Sequence, residues 1–532
     1  MLLVPGGLSW LDERTGECMK RKRGFQNEPL KDMVAVGAVG PDRARLWIRS
    51  DRSGTLLVRC WKKGEAERAD KAAVEVREED ERDNTCSIDL PAPAGRERPL
   101  IPMSRYAYRV SHSSDGHVIG EGGFETAPAD DHGTPPRFSI ALMSCNQPFT
   151  ATGGVEEKAV QMLRAARRCM EEHNTRLAFM VGDQMYSDYP KSLSLFDPDY
   201  FQLIAPPGRK SIQDCSPQEV RRIYQSRYRH FWNLSDLKAI QSEIPCYLIL
   251  DDHEIVDNWG SAPEHKEPEW QSVGKGALMA YNDYQASRVL PIGDKLPTDF
   301  HYSVTYGHTA VFVMDIRSDR RAGIGGQLYS DAQEGDLRQF LRENRTKEIL
   351  LIVLSVPVVH MPQRLARFVA RLPPTDEDFS DRWSTGAHAK DRDRFLKIIH
   401  DHQVLHREQR MILLSGDIHI GCVHEILWHD GAPVLYQVIS SGITHSPGFL
   451  IQTGSALSIR LNRHIATMDG SLSAAVRLFR GTHGHKKNPF ASLNLGIIEI
   501  ETPSPEARPK IRFLLYGHKG ERPFCAYRSP EV

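Results

Sequence analysis

The stretch LAFMVGDQMYSD at residues 177–188 decides the fold, because a continuous apolar run passes directly into a glycine and two aspartates. Other apolar runs end in polar residues in the same way, and helix-like stretches such as residues 156–173 lie between them. Buried strands that alternate with helices are typical of a sheet covered on both faces, so the sequence predicts an α/β fold. The other runs are FSIALMS (138–144), CYLILD (246–251), AVFVMD (310–315), ILLIVLS (349–355) and MILLSGD (411–417).

The chain before residue 130 has a different pattern. Short β-type runs separated by polar turns extend from Met33 to Thr126 and predict an antiparallel sandwich, and the Pro- and Asp-rich segment 127–136 is typical of a linker. Residues 495–500 and 511–516 predict a closing hairpin. We therefore expect three parts: a lead segment at 1–30, an Ig/fibronectin-like β-sandwich at 31–130, and a catalytic domain at 137–520 with an insertion near 190–245 that lies over the site.

Composition excludes several classes of protein. The 532 residues carry 68 Lys and Arg against 69 Asp and Glu, so net charge gives no reason to expect a nucleic-acid partner. No run reaches the roughly 18 apolar residues of a membrane span, and no signal peptide is evident, so we expect no membrane insertion and a cytoplasmic location. Nine cysteines without a Cys-x-x-Cys motif indicate free thiols in a reducing compartment. The oligomeric state is not indicated.

Polar residues with metal-binding side chains follow the predicted strands. Cysteine, aspartate, tyrosine and histidine at successive strand ends supply sulfur, oxygen and nitrogen donors at one edge of a sheet, where open α/β sheets place their ligands. This donor set is what a two-metal hydrolytic site requires, and one carboxylate, such as that of Asp183, can bridge two ions. Gly182 and Gly416 allow the sharp turns that bring such ligands close together.

These motifs resemble a known family. SCN (144–146), GDQMYSD (182–188), DDHEIVDNWG (251–260) and SGDIHIG (415–421) are similar to the metallophosphoesterase superfamily, and within it to the alkaline phosphatase D (PhoD-like) family, which is related to purple acid phosphatases. FVMDIRSDR (312–320) resembles the family segment LDTRxYR, with Asp319 in place of the tyrosine. The family's N-terminal strand pair is matched by Gly40, Asp42, Leu46, Trp47 and Arg49.

The resemblance implies a fold and a set of residue roles. The fold is a four-layer metallophosphoesterase β-sandwich flanked by helices, with an N-terminal antiparallel β-sandwich. Cys145, Asp183, Tyr186 and His419 would bind a first ion, ferric iron, and Asp183 would bridge to a calcium ion completed by Asp252 and Asp417; manganese, zinc and magnesium stay open. His253 would be catalytic, and Asn258, Arg317 and Arg320 would contact the substrate. The superfamily's usual histidine after the fourth strand is absent, since Leu354, Ser355 and Val356 stand there.

The implied function is a metal-dependent phosphoric-ester hydrolase in which metal-bound hydroxide attacks the phosphorus of a small phosphorylated substrate. The alternative within the same fold is a phosphodiesterase or phospholipid-type esterase. A non-catalytic scaffold, or a cysteine hydrolase that pairs Cys145 with His419 or His253, also stays open. Four converging aspartates argue against the cysteine hydrolase, because a cysteine–histidine pair needs only one orienting group.

Overall fold

The structure is a computed structural model, and residues 1–22 of the predicted lead segment and 130–136 of the predicted linker lie outside the residues it describes. Among the described residues, no helix is long and apolar enough to cross a membrane. The structure describes residues 23–65, 70–76, 81–91, 99–129, 137–291, 295–321, 326–362, 383, 388–502 and 507–532.

Two antiparallel sheets form the N-terminal part. Their strands are Met33–Val39 (β1), Ala44–Arg49 (β2), Gly54–Lys62 (β3), Asp70–Val76 (β4), Thr85–Leu90 (β5), Arg105–His112 (β6) and Val118–Glu125 (β7). One sheet has the order β1-β2-β5 and the other the order β4-β3-β6-β7. Buried and more exposed residues alternate along β6, as expected for a strand with one face on a core. The sequence did not indicate β4 or β5.

Two larger sheets form the rest of the molecule. Their strands are Arg137–Met143 (β8), Thr175–Val181 (β9), Cys246–Ile249 (β10), Tyr302–Tyr306 (β11), Thr309–Val313 (β12), Ile349–Val353 (β13), Arg410–Ser415 (β14), Cys422–Trp428 (β15), Leu435–Ile439 (β16), His464–Ala466 (β17), Ser473–Leu478 (β18), Leu495–Glu501 (β19), Lys510–Lys519 (β20) and Arg522–Arg528 (β21). The six-stranded sheet has the order β10-β9-β8-β19-β20-β21, and the eight-stranded sheet has the order β11-β12-β13-β14-β16-β15-β18-β17. Strands β8 to β10 run parallel, as do β12, β13, β14 and β16.

Alternate residues of the central strands serve two separate apolar cores. Val311 and Val313 of β12 pack in the core shared with the six-stranded sheet, whereas Ala310 and Phe312 pack on the opposite face with helical residues. The same alternation continues on β13 and β14. Strands buried on both faces read as continuous apolar runs, which is why the sequence shows them so clearly.

Helices cover both large sheets. The helix Pro217–Phe231 (α3) begins with a capping box formed by Ser216 and Glu219 and has Pro217 in its first turn, which is a strong start signal. The predicted insertion near 190–245 contains α2 to α4. The helices are Glu157–Glu172 (α1), Pro198–Ile204 (α2), Pro217–Phe231 (α3), Ser235–Glu243 (α4), Pro268–Tyr284 (α5), Asp331–Glu343 (α6), Ala389–Leu405 (α7) and Phe449–Leu461 (α8).

Trp47 on β2 joins the N-terminal sheets to the helices of the larger part. Its side chain is fully buried, and its indole N–H donates to the carbonyl of Asp283 at 2.7 Å. The guanidinium carbon of Arg288 lies 4.7 Å from the Trp47 ring, and the ring of Trp232 lies 5.8 Å away. A cation over an aromatic face and an edge-to-face ring pair both stabilise this junction.

We predict that Trp47→Ala lowers the free energy of unfolding by about 3–5 kcal/mol, because it leaves a cavity at the junction and removes the indole hydrogen bond to Asp283. Urea denaturation followed by circular dichroism measures the change. The matched control is Val118→Ala on β7, whose side chain is 47% exposed and should leave the denaturation midpoint unchanged. Equal midpoints for Trp47→Ala and the control would contradict the role given to Trp47.

Candidate metal centre

Backbone hydrogen bonds tie the loops after five strands into one cluster. The amide of Cys145, after β8, donates to Gly182 after β9, and the amide of Gly182 donates to Ile249 at the end of β10. On the other sheet, the amide of Ser440 after β16 donates to Ser415 at the end of β14. The amide of Ile443, after β16, donates to the carbonyl of Ser144, after β8, so the carboxyl ends of strands from both sheets meet at one edge, where the sequence predicts the site.

The carboxylate of Asp183 lies at the centre of this cluster. Its Oδ2 atom accepts a contact from the Cys145 Sγ at 3.2 Å and from the Tyr186 hydroxyl at 3.3 Å. Its Oδ1 atom is buried and accepts no hydrogen bond within the described part of the chain. The thiol of Cys145, the phenol of Tyr186 and the Oδ2 atom of Asp183 are therefore close enough to contact one metal ion. The Oδ1 atom of Asp183 lies on the other side of the carboxylate.

Backbone strain is concentrated in the same residues. Of the nine described non-glycine residues with positive φ, five are predicted site residues. Such conformations cost about 1–3 kcal/mol each and persist where the surrounding structure enforces them, most often at functional sites. The five are Cys145 (φ 59°), Asp183 (57°), Asn258 (59°), Asp417 (67°) and His419 (54°).

Two glycines permit the close approach of these loops. A Cβ atom at Gly182, whose φ is 84°, would lie 2.5 Å from the Asp251 Cβ, and one at Gly416 would lie 2.3 Å from the Ser144 Oγ. Both distances are shorter than a carbon atom allows. The prediction that these glycines permit sharp turns and close packing of the ligand loops is therefore supported by the geometry.

Burial disfavours the charged forms of the acidic side chains in this cluster. Burial raises the pKa of the Cys145 thiol, although hydrogen bonds from Ser144 and Ser441 oppose the effect. Burial raises the pKa of Asp183 well above its usual value, and the neighbouring Cys145 adds to the rise. Burial, followed by the charge of Asp183, likewise raises the pKa of Tyr186. A bound cation would reverse these shifts, so the donor set and its unshared Asp183 oxygen fit a metal ion.

Asp252 and His253 complete a second group of donors. Ligand atoms of Asp183, Asp252 and His253 all lie within 4.8 Å of one another. The His253 ring stacks on Tyr186 at 4.1 Å, and its Nδ1 lies 2.7 Å from an oxygen of Asp188. Burial alone lowers the pKa of His253, but the carboxylates of Asp188, Asp252 and Asp183 outweigh burial and raise the pKa well above 6.5.

Asp417 and His419 lie against the Cys145 side of the cluster. The carbonyl oxygen of Asp417 is 3.8 Å from the Cys145 Sγ. The amide of His419 donates to the Ser441 hydroxyl at 2.7 Å, and the same hydroxyl is 3.1 Å from the Cys145 Sγ. All six predicted metal ligands therefore belong to one connected group of loops.

The three predicted substrate contacts have buried protein partners. The amide of Asn258 donates to the Asp252 Oδ2 at 2.7 Å, and the residue is 4% exposed. The fully buried Arg317 pairs with Asp251 and lies 3.6 Å from the Asp252 carboxylate. Arg320 is 5% exposed and packs beside Gly260. Two of these residues, Asn258 and Arg317, contact Asp252.

The chain is similar to known proteins in sequence and in fold. A sequence model described as PhoD-like phosphatase matches residues 140–469, well over half of the chain. The chain belongs to the PhoD-like phosphatase family. An alkaline phosphatase D from Bacillus subtilis (strain 168) is 23% identical over 227 residues, which cover 42% of this chain and 34% of that relative. The alignment thus spans less than two thirds of the relative's length.

The fold of this PhoD-like chain is also found in solved structures. A structure of PhoD covers 96% of this chain and 94% of its own at a TM-score of 0.60 and 15% identity. A purple acid phosphatase from yellow lupin (Lupinus luteus) seeds covers 94% of this chain and 74% of its own at a TM-score of 0.51 and 11% identity. The predicted family and the predicted α/β fold with its N-terminal sandwich are confirmed.

Glu254 is a site residue of this PhoD-like chain to which the sequence gave no role. Its fully buried carboxylate accepts from the amides of Asp183 (2.9 Å), Gln184 (2.6 Å) and Asp251 (2.8 Å), and from the Gln285 side chain at 3.0 Å. Burial raises the pKa of the Glu254 carboxyl to about 7, although the amide donors oppose the rise. The only sequence signal was its place in the DDHE motif.

Asn494 and Arg227 were also missed, because they lie far from the motifs in sequence. Asn494, just before β19, accepts from the Ser440 hydroxyl at 3.0 Å and from the Ser441 amide at 3.2 Å. The buried guanidinium of Arg227 on α3 donates to the carbonyls of Tyr186 and Tyr189. Both side chains hold the ligand loops in place through hydrogen bonds to residues of these loops.

We predict that Glu254→Gln lowers the free energy of unfolding by about 2–5 kcal/mol, because an amide nitrogen would face backbone N–H donors and leave them without an acceptor. Urea denaturation measures the effect. Glu157→Gln, an exposed substitution of the same chemistry on α1, is the control and should leave stability unchanged. A midpoint for Glu254→Gln that matches the control would show that the carboxylate charge is not needed by the loops.

Proposed function

We propose that the chain is a metal-dependent hydrolase of phosphoric esters that uses two metal ions. The observation that carries this proposal is the environment of Asp183. One of its oxygens lies against a thiol and a phenol, and the other is buried without a donor in the described chain. A carboxylate with one oxygen beside a thiol and a phenol, and with a second oxygen that accepts no hydrogen bond in the described chain, is suited to bridge two metal ions.

The ligand roles follow the two sides of Asp183. We assign Cys145, Asp183, Tyr186 and His419 to a ferric ion, because thiolate and phenolate suit a high charge. Asp183, Asp252 and Asp417 offer mainly oxygen donors, which favour a hard ion such as calcium. Manganese, zinc and magnesium are the other candidates for the second site. When bound, the ions supply a nucleophile from water at neutral pH and stabilise charge on the phosphoryl oxygens.

The protein's own residues position the substrate and donate a proton to its leaving group. His253, whose Nδ1 is held by Asp188, is oriented to donate a proton from its Nε2 to the leaving alcohol. Asn258 and Arg320 are proposed phosphate contacts. Arg317 is buried against Asp251 and Asp252, and these contacts favour positioning of Asp252 over direct contact with the substrate.

The proposed substrate is a small phosphorylated molecule, with no nucleic-acid partner. A phosphodiesterase or phospholipid-type esterase is the alternative, and a panel of monoesters and diesters with purified, metal-loaded protein distinguishes the two. We also propose a cytoplasmic location. All eight cysteines in the described part of the chain are free, and a reducing compartment keeps the Cys145 thiol available as a ligand.

We predict that Asp183→Asn removes nearly all activity and both metal ions, because loss of the bridging charge weakens the two sites together. Activity assays and elemental analysis of the purified variant measure the two effects. The control is Asp199→Asn on α2, where the side chain is 80% exposed and should leave metal content unchanged. Full occupancy of both sites in Asp183→Asn would rule out the bridging role.

The cysteine-hydrolase alternative predicts a different response to inhibitors. If Cys145 is a ligand, a chelator should abolish activity and the appropriate ions should restore it. A thiol alkylator should act slowly on the metal-loaded protein, because coordination would occupy the Cys145 thiolate, and faster on the metal-free protein. Hydrolysis that survives chelation and is lost on alkylation of Cys145 would overturn the metal-dependent mechanism. Metal-loaded protein without activity on any ester would instead support a scaffold.

A further inference from the structure

A cavity of about 80 Å³ opens beside the candidate metal centre. His445 lines this cavity and also contacts the cluster, because its ring lies 4.5 Å from that of His419 and 5.5 Å from that of Tyr186. Tyr189, another lining residue, packs edge-on against His445 at 5.2 Å. The cavity therefore neighbours the candidate metal centre through His445, which contacts both.

Two opposite charges lie in the wall of this cavity. Glu156 and Lys158, at the start of α1, form an ion pair with a carboxylate oxygen 2.8 Å from the ammonium nitrogen. Their side chains are 30% and 48% exposed, so both can exchange partners with a ligand. The pair contributes little to stability, since water screens ion pairs between exposed side chains. The remaining wall is mainly polar and includes the buried side chains of Gln147 and Thr444.

We propose that this cavity binds the alcohol part of the ester and selects alcohols that carry both an ammonium and a carboxylate group. The ligand's ammonium binds Glu156, and its carboxylate binds Lys158. Each protein charge then keeps an opposite partner, whereas an alcohol with a single charge satisfies one residue and meets repulsion from the other. The inference rests on the proposed function, because it specifies the substrate of that same site.

The size of the cavity limits the alcohol. One water molecule needs about 10–15 Å³ of such space, so about 80 Å³ admits a group of several non-hydrogen atoms. The volume is well below the roughly 300–1,000 Å³ of pockets that enclose drug-sized ligands. A three-carbon hydroxy amino acid fits this limit. Hydrolysis of its phosphate ester consumes one water, breaks the ester P–O bond, and releases the protonated alcohol and inorganic phosphate.

The test compares four phosphate monoesters of similar size on the metal-loaded full chain. O-phosphoserine carries both charges on its alcohol part, phosphoethanolamine only the ammonium, 3-phosphoglycerate only the carboxylate, and glycerol 2-phosphate neither. We expect kcat/KM for O-phosphoserine to exceed that for glycerol 2-phosphate about tenfold. Glu156→Gln should reduce the preference for ammonium-bearing esters, and Lys158→Met the preference for carboxylate-bearing esters.

Matched controls separate recognition from general damage. Lys158→Arg keeps the positive charge and should restore the preference. Glu157→Gln and Lys275→Met change exposed residues that do not line the cavity, and both should keep the wild-type ratio of kcat/KM values. Free serine should inhibit more strongly than glycerol in the wild type, and this difference should be lost in both cavity variants.

The outcomes distinguish the inference from the function on which it rests. Hydrolysis of all four esters at equal efficiency, or the same preference in the cavity variants as in the wild type, would overturn the leaving-group assignment and leave the phosphoric-ester hydrolase intact. Absence of hydrolysis with every monoester and diester would overturn the proposed function itself, and the inference with it.

Discussion

The carboxylate of Glu254 is the interaction on which the site geometry depends. The loops after β9 and β10 leave their sheet at Val181 and Ile249, and the amides of Asp183, Gln184 and Asp251 in these loops donate to a side chain and not to a strand. Buried backbone N–H groups need an acceptor, and Glu254 receives amides from both loops on its two oxygens. Because the bonds go to the backbone, they fix the loops while the Asp183 side chain contacts Cys145 and Tyr186.

This support makes it possible to hold strained and mutually repelling groups together. Cys145, Asp183 and Asp417 adopt positive φ, and the acids among the cluster are buried with raised pKa values. Neither feature stabilises the fold. Both are accounted for if the cluster binds cations, since a cation offsets the repulsion of Asp183 by Cys145 and Asp252 and favours the charged forms of these groups. The backbone strain and the raised pKa values of the buried acids therefore indicate a metal-binding site, as the family membership does.

Much of this arrangement could be predicted from the sequence, because strands buried on both faces appear as continuous apolar runs that end where the ligands begin. Strand order could not be predicted: β19 pairs with β8 across some 350 residues of chain, and β16 lies between β14 and β15. Asn494 reaches the site only through that long-range pairing, so no local pattern marks it. Glu254 lies within a recognised motif, but the sequence does not show which of the neighbouring acidic residues binds a metal ion and which accepts hydrogen bonds from backbone amides.

The predicted insertion near 190–245 contains a residue, Arg227, that stabilises one of the loops bound by Glu254. Arg227 on α3 donates to the carbonyls of Tyr186, Tyr189 and Leu193, in the loop that follows β9. Burial lowers the pKa of Arg227 to about 10, which still leaves it charged at neutral pH. The loop is therefore held by the Glu254 carboxyl group on its N–H groups and by the Arg227 cation on its carbonyl groups. Since α3 supplies that buried cation, this part of the predicted insertion stabilises the backbone of the ligand loop.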